Sequence, residues 1–256
     1  EVQKQLPSGD WDGAIVCDCG DADRVGEVLK PELLKVRPLI NIDHHISNDF
    51  FGDLNYVRGD ACSSCELVLE VVDALGVTLT PEIAKCLLTG IIGDTGLFRY
   101  SSVTAQTFSI AEKLERAGAG AHTIARALYG DRPISAVRLK AEVLRNLKLH
   151  FEGRVSEALI TNEIMSACGA GPADCESLVE AARDIAGVVI AVSIRRDKDL
   201  WKVSLRSKDE RINLSDLAAG FGGGGHRQAA AFRWRGELED LRSQLLARLC
   251  EELQKL

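Results

Sequence analysis

The chain of 256 residues lacks any apolar run of about 18 residues, so the sequence predicts no transmembrane helix and no membrane partner. It also lacks an excess of basic residues. Its 31 lysines and arginines are set against 38 aspartates and glutamates, which gives a formal net charge of −7. A deep basic channel for a long polyanion is therefore not favoured, and a short or mononucleotide-sized phosphate compound fits this charge balance better.

Cysteine patterns that bind zinc are missing as well. The eight cysteines have neither ribbon nor finger spacing, and the segment Cys62–Cys65 is a lone CxxC. Free, mostly buried thiols in a reducing compartment are the prediction that follows. The first residues, Glu1 to Gln5, are polar and do not resemble a signal peptide, so a cytoplasmic location is expected.

The apolar pattern predicts an α/β fold with a parallel sheet in its N-terminal part. Two short apolar segments, Ala14 to Asp18 and Arg37 to Ile42, are typical of buried strands, and Asp43 directly follows the second. In parallel sheets, sites form beyond the carboxyl ends of the strands. We therefore expect a site where these two strands end.

The sequence predicts three regions along the chain. Residues 1–130 form the parallel-sheet domain, residues 131–148 a linker helix, and residues 149–256 a smaller α/β domain. The third region has strands predicted at 155–160, 188–194 and 201–206, and helices near 174–185 and 237–253.

The most informative segment is Asp43-His44-His45, at the end of the second predicted strand. Taken alone, this segment fits a capped strand end with surface histidines as well as it fits a metal site. Asp18 ends the preceding strand and Asp94 lies in a glycine-flanked turn, and together they make a metal site the better interpretation. Carboxylates and imidazoles without thiolates favour Mn²⁺, with Co²⁺, Mg²⁺, Zn²⁺ and Fe²⁺ as alternatives. Such centres hydrolyse phosphate esters.

A second group of residues predicts an anion site in the C-terminal region. Gly222, Gly223, Gly224 and Gly225 free the backbone to approach an anion, and His226 adds a donor for a phosphate. A flexible linker is the alternative. Arg206 ends a predicted strand and can clamp a phosphate, although single arginines are more often solvated. For Arg99, a phosphate contact and a structural ion pair are equally good interpretations.

Taken together, these motifs resemble the DHH phosphoesterase superfamily, and most closely its nanoRNase and 3′-phosphoadenosine-5′-phosphate (pAp) phosphatase branch. The resemblance implies that Asp18, His44 and Asp94 are metal ligands. It further implies that Asp43 and His45 are catalytic, with His45 facing the substrate phosphate. The glycine run with His226 and the segment Val203–Ser207 match the nucleotide-holding C-terminal domain of that family, and a cleft between two domains is implied.

One departure from the family pattern is large. The family's first motif, a His-x-x-Asp-x-Asp-like segment, has no counterpart ahead of Asp18, because no histidine precedes His44. The prediction is that about a quarter of the family length is absent at the N-terminus. The chain would then hold at most one metal properly and be weak or inactive. The uncovered sheet edge left behind is a candidate surface for a homodimer.

The leading functional prediction is a manganese-dependent phosphoesterase that acts on very short RNA or on pAp by activation of water with two metals. Cyclic dinucleotide (c-di-AMP or pApA) phosphodiesterase activity is one alternative. A nucleotide-binding remnant without catalysis is the other. The residues do not separate the substrates from one another.

Overall fold

A computed structural model describes residues 9–175 and 177–256, with the backbone alone described at His226. The chain divides into two compact units. The first comprises the described residues up to Asp131, and the second begins at Arg132. Among the described residues, no helix is both long and apolar enough to pass through a membrane.

The first unit contains the predicted parallel sheet. Its strands are β1 (Ala14–Cys17), β2 (Leu39–Asp43) and β3 (Leu54–Val57), paired in parallel in that order. The central strand β2 is buried along most of its length because it is covered on both faces. The sequence did not predict β3, an edge strand in which exposed and half-buried residues alternate.

Three of the five helices in the first unit begin at a side-chain cap. Thr80 accepts a hydrogen bond from the backbone N–H of Ile83 and precedes proline at the first helical position, and Thr104 forms a reciprocal capping box with Thr107. The helices are α1 (Lys30–Leu33), α2 (Ser64–Ala74), α3 (Pro81–Asp94), α4 (Ala105–Arg116) and α5 (Ala121–Tyr129). The core lies among α2 to α5, with α3 at its centre.

The second unit is built on a mixed six-stranded sheet in the order β4-β5-β6-β7-β9-β8. Only β5 and β6 run parallel to each other. The strands are β4 (Lys148–His150), β5 (Val155–Ile160), β6 (Ile190–Asp197), β7 (Leu200–Ser207), β8 (Gly224–His226) and β9 (Ala229–Trp234). The predicted α/β architecture of the chain is confirmed.

Helices cover one face of this sheet and part of the other. They are α6 (Ile134–Arg145), α7 (Asn162–Cys168), α8 (Leu178–Arg183), α9 (Leu214–Ala219) and α10 (Leu238–Gln254). The helix predicted as a linker over 131–148 is α6, and its Leu139 and Val143 are buried in the core of the second unit. The helix predicted near 174–185 is shorter, because Pro172–Cys175 forms a 3-10 turn ahead of α8.

The glycine run forms an edge strand instead of a flexible linker. Residues from Gly224 onward make β8, which pairs antiparallel with β9. A Cβ on Gly223 would lie 2.3 Å from the carbonyl oxygen of Ala231 and 2.4 Å from Cβ of Phe232, whereas a Cβ on Gly224 would meet nothing within 4 Å. Close packing of two strands therefore explains Gly223, and the positive φ of 73° explains Gly222.

Replacement of Gly223 by alanine is expected to lower the free energy of unfolding by about 2–4 kcal/mol, because an added methyl group has no space against β9. Gly224→Ala is the matched control, and its cost is expected to stay below about 1 kcal/mol. Urea unfolding followed by circular dichroism measures both changes. Equal midpoints for the two variants would contradict the packing explanation.

Candidate metal centre

The carboxylate of Asp18 is positioned by the turn that ends β1. Its backbone N–H donates to the carbonyl of Ile42, at 3.0 Å, which continues the parallel ladder by one residue. The residue then has a φ of 59°, a left-handed conformation that aspartate tolerates better than most residues. The hydroxyl of Ser64, at the start of α2, donates to Oδ1 of Asp18 at 3.0 Å.

His44 follows β2 directly, and its two ring nitrogens have different partners. Nδ1 lies 3.3 Å from the carbonyl oxygen of Ala61, which can only accept, so Nδ1 carries a proton. Nε2 faces Oδ1 of Asp18 at 3.4 Å. When the ring is protonated, Nε2–H donates to this carboxylate; when a cation takes the place of that proton, Nε2 offers its lone pair to the same space, which is the orientation a metal-binding histidine has when its other nitrogen is held by a backbone carbonyl.

Asp43 and His45 form a buried pair behind this centre. Nδ1 of His45 lies 2.5 Å from Oδ1 of Asp43, whose side chain is completely inaccessible to solvent. The amide of Asn48 donates to the other oxygen of Asp43 at 2.6 Å and to the side chain of Asn41 at 2.8 Å. Both oxygens of Asp43 are thus used inside the protein, and this favours a positioning role for the residue.

The charges of the centre shift the pKa values of its members. Hydrogen bonding from His44 lowers the pKa of Asp18 to about 2, although burial opposes the change. Burial lowers the pKa of His44, but the hydrogen bond with Asp18 and the charge of Asp94 raise it by more, and it ends above its ordinary value. Asp18 is therefore ionised at neutral pH and ready to bind a cation.

Asp94, the last residue of α3, lies near this centre. Desolvation raises its pKa, partly offset by a hydrogen bond with Ser63, and its charge acts on both histidines. The ligand atoms that lie within 4.8 Å of one another belong to Asp18, His44 and His45, so among the described residues this group does not include Asp94.

The donor set fits a divalent cation. Oδ1 of Asp18 and Nε2 of His44 are both electron-pair donors, separated by 3.4 Å. Two ligands of one ion, with bond lengths of about 2.1 Å each, lie roughly 3 Å apart. The sequence-predicted pair Asp18 and His44 is thus brought together with a spacing suited to coordination.

The other predicted site residues have different surroundings. Nε of Arg206 donates to Oε1 of Glu180 at 3.0 Å, and Nε of Arg99 donates to the carbonyl of Gly96 at 2.7 Å. Arg99 thereby closes the turn after α3, while Arg206 stays half-buried on the sheet of the second unit. The side chain of His226 lies outside the described part of the chain.

Arg24 is a candidate that the sequence analysis did not single out. It lies in the 3-10 turn Ala22–Val25, and its Nη1 is 3.5 Å from Nε2 of His45. The only signal for it in the sequence is its place in the loop that follows Asp18. None of the eight cysteines is in a disulfide, as predicted, but only Cys19, Cys62 and Cys175 are buried, so the prediction of mostly buried thiols was wrong. Burial raises the pKa of Cys62 and of Cys65 to about 11.

These features define an α/β protein with a carboxylate–imidazole centre at the carboxyl edge of a parallel sheet, followed by a unit with a mixed sheet. The chain belongs to the DHH family. The model of the DHH family, N-terminal domain, matches residues 1–91, and the model of the DHHA1 domain matches residues 159–255.

Curated relatives agree with this assignment. The chain is 34% identical over 216 residues to the bifunctional oligoribonuclease and PAP phosphatase NrnA of Thermus thermophilus, which covers 84% of this chain and 64% of that protein. It is 30% identical over 222 residues to the probable bifunctional oligoribonuclease and PAP phosphatase NrnA of Streptococcus mutans, covering 86% and 70%. The chain thus spans about two thirds of the length of these relatives.

Among solved structures, an exopolyphosphatase-related protein from Bacteroides fragilis superimposes with a TM-score of 0.84 at 27% identity. The match covers 91% of this chain and 71% of that one. It supports the same succession of a parallel-sheet unit and a mixed-sheet unit.

Proposed function

We propose that this protein is a metal-dependent phosphoesterase that hydrolyses very short oligoribonucleotides, pAp, or both. The names of its relatives supply the substrate class, and the acidic net charge agrees with a small phosphate substrate. The single observation that carries the proposal is the facing pair of Asp18 and His44 at the end of two parallel strands.

Asp18 and His44 would hold the ion, with Asp94 as the third ligand, and Mn²⁺ is the cation that this donor set suits best. When bound, such an ion neutralises charge on the phosphoryl group and provides a nucleophilic water at neutral pH. Asp18 contributes a full negative charge, because its pKa of about 2 keeps it ionised. The hydrogen bond from Ser64 holds that carboxylate in place.

In this proposal, His45 contacts the substrate phosphate. Asp43 holds the ring through Nδ1, so contact with the phosphate would be made through Nε2. Arg24 lies next to this nitrogen and supplies a permanent positive charge for the same group. In the second unit, Arg206, the glycine strand and His226 would bind the nucleotide.

The proposal is tested with protein stripped of metal by EDTA and dialysed. Calorimetric titration with Mn²⁺ is expected to show saturable binding. Mn²⁺ is also expected to restore hydrolysis of pAp or of RNA two to five nucleotides long.

A substrate panel separates the alternatives. Hydrolysis of c-di-AMP or pApA without hydrolysis of pAp or short RNA would favour the cyclic dinucleotide alternative. Binding of Mn²⁺ and nucleotide with no turnover of any member would favour the non-catalytic alternative. Absence of both binding and hydrolysis would overturn the proposal.

The formation of a homodimer through the edge of the sheet stays a prediction.

A further inference from the structure

The second unit presents a row of three basic residues on adjacent strands. In the strand register, Arg195 of β6 lies directly opposite Lys202 of β7, and Lys202 lies directly opposite Arg233 of β9. All three are on the same face of the sheet, because their neighbours Ile194, Val203 and Phe232 are in the core on the other side.

This row is poorly neutralised. Only 13% of the Arg195 side chain is exposed to solvent. Its ion pair is a long one, with 4.0 Å between Nη2 of Arg195 and Oδ2 of Asp197. Over residues 9–175 and 177–256, Lys202 and Arg233 take part in no ion pair. Like charges directly across a sheet destabilise it. Three neighbouring basic side chains share a single carboxylate, at 4.0 Å from one of them. This arrangement favours binding of an anion from solution.

A groove with nucleotide-sized dimensions starts at two members of this row, Arg195 and Lys202, and Arg233 lies beside it on the next strand. It measures about 480 Å³ and extends along β6 and β7 from Arg195 and Lys202 to Arg206. Its floor carries the hydroxyls of Ser193 and Ser204. One wall is apolar, formed by residues of the 3-10 turn and of α8: Pro172, Ala173, Cys175 and Val179.

The two basic ends of the groove are too far apart for one phosphate. Lys202 and Arg206 are four residues apart on one strand, a backbone separation of about 13 Å. Arg206 is already paired with Glu180, whereas the row at the other end is not neutralised. The apolar wall suits a base or a sugar, and the hydroxyl floor suits ribose oxygens.

We propose that the Arg195–Lys202–Arg233 row is a second anion subsite, which takes a further phosphate of a short RNA whose neighbouring nucleotide is held at Arg206. The inference rests on the proposed function and makes it more specific. It gives the protein a preference for oligoribonucleotides with several phosphates over a mononucleotide. The row therefore acts as a determinant of substrate length.

The test uses the double variant Lys202→Ala/Arg233→Ala, since both side chains are at least partly exposed and their loss leaves the core intact. Calorimetry in EDTA measures binding of an RNA pentamer and of pAp without turnover. We expect affinity for the pentamer to fall at least about tenfold more than affinity for pAp. The dependence of log K on log[salt] is expected to become shallower by about 0.7 per contact removed.

The matched control is Lys148→Ala on the opposite edge strand β4, which is expected to change neither affinity. Equal loss of affinity for both ligands, or no loss for either, would overturn the inference. The binding experiment does not depend on hydrolysis. A failure of the subsite is therefore distinguishable from a failure of the proposed phosphoesterase activity, which is measured with Mn²⁺ on the unaltered protein.

Discussion

Replacement of His44 by alanine is expected to lower the rate of Mn²⁺-dependent hydrolysis by at least about 100-fold and to remove high-affinity Mn²⁺ binding. His44 is the imidazole that faces Asp18 at 3.4 Å, and its tautomer is set by the carbonyl of Ala61. Without it, the carboxylate lacks its nitrogen partner. Steady-state kinetics with pAp and short RNA, together with Mn²⁺ calorimetry, measure the two effects.

The matched control is His122→Ala, because His122 is exposed on α5 and belongs to no proposed site. Its activity and Mn²⁺ affinity are expected to equal those of the unaltered protein. A His44→Ala variant with unchanged kcat would remove the metal assignment. A variant that keeps Mn²⁺ binding but loses activity would assign His44 to the substrate instead.

Replacement of Asp43 by alanine is expected to lower the free energy of unfolding by about 3–5 kcal/mol, one of the largest effects in the chain. Asp43 is fully buried, and its loss leaves the ring of His45 and the amide of Asn48 without their acceptor. Urea unfolding at pH 7 measures the change as a shift of the midpoint. Activity is expected to fall as well, because His45 loses the group that orients it.

Comparison with Asp43→Asn predicts how the contribution of Asp43 to the free energy of unfolding depends on pH. Burial raises the pKa of Asp43, but hydrogen bonds from His45 and Asn48 lower it by more, so it lies below the ordinary value. The ionised form therefore stabilises the fold above the unfolded pKa of about 3.9, and this contribution is lost as the pH falls through the folded value.

The stability difference between the unaltered protein and Asp43→Asn is thus expected to be full near pH 7 and to shrink below about pH 4. Asp49→Asn, a change at an exposed neighbouring aspartate, is the control and is expected to stay within about 0.5 kcal/mol. A difference that grows on acidification would show that Asp43 is not ionised in the folded protein.

Local patterns in the sequence were sufficient for the frame of the site. The apolar segments that became β1 and β2 end at Asp18 and Asp43, and the parallel pairing of these strands brings their carboxyl ends to one edge. The start of α3 also has a local origin, since Thr80 and Pro81 begin the helix by short-range geometry. These features depend on neighbours within a few residues, and so they are readable from the order of residues.

Other features needed contacts between distant parts of the chain. The sequence could not show that the glycine run would pair with β9, because a strand of glycines has no alternating side chains to reveal it. The approach of Arg24 to His45 and the cross-strand row of Arg195, Lys202 and Arg233 depend likewise on long-range folding and on strand register.

The amino-acid order thus determined which chemical groups end the strands of the first unit and at which residues the capped helices begin. The folded structure decided which nitrogen of His44 faces Asp18, that Asp43 serves His45 from a buried position, and that three cations share one face of a sheet. The physical reason is that caps and periodicity are short-range, whereas tautomers, burial and register are set by groups far away in sequence.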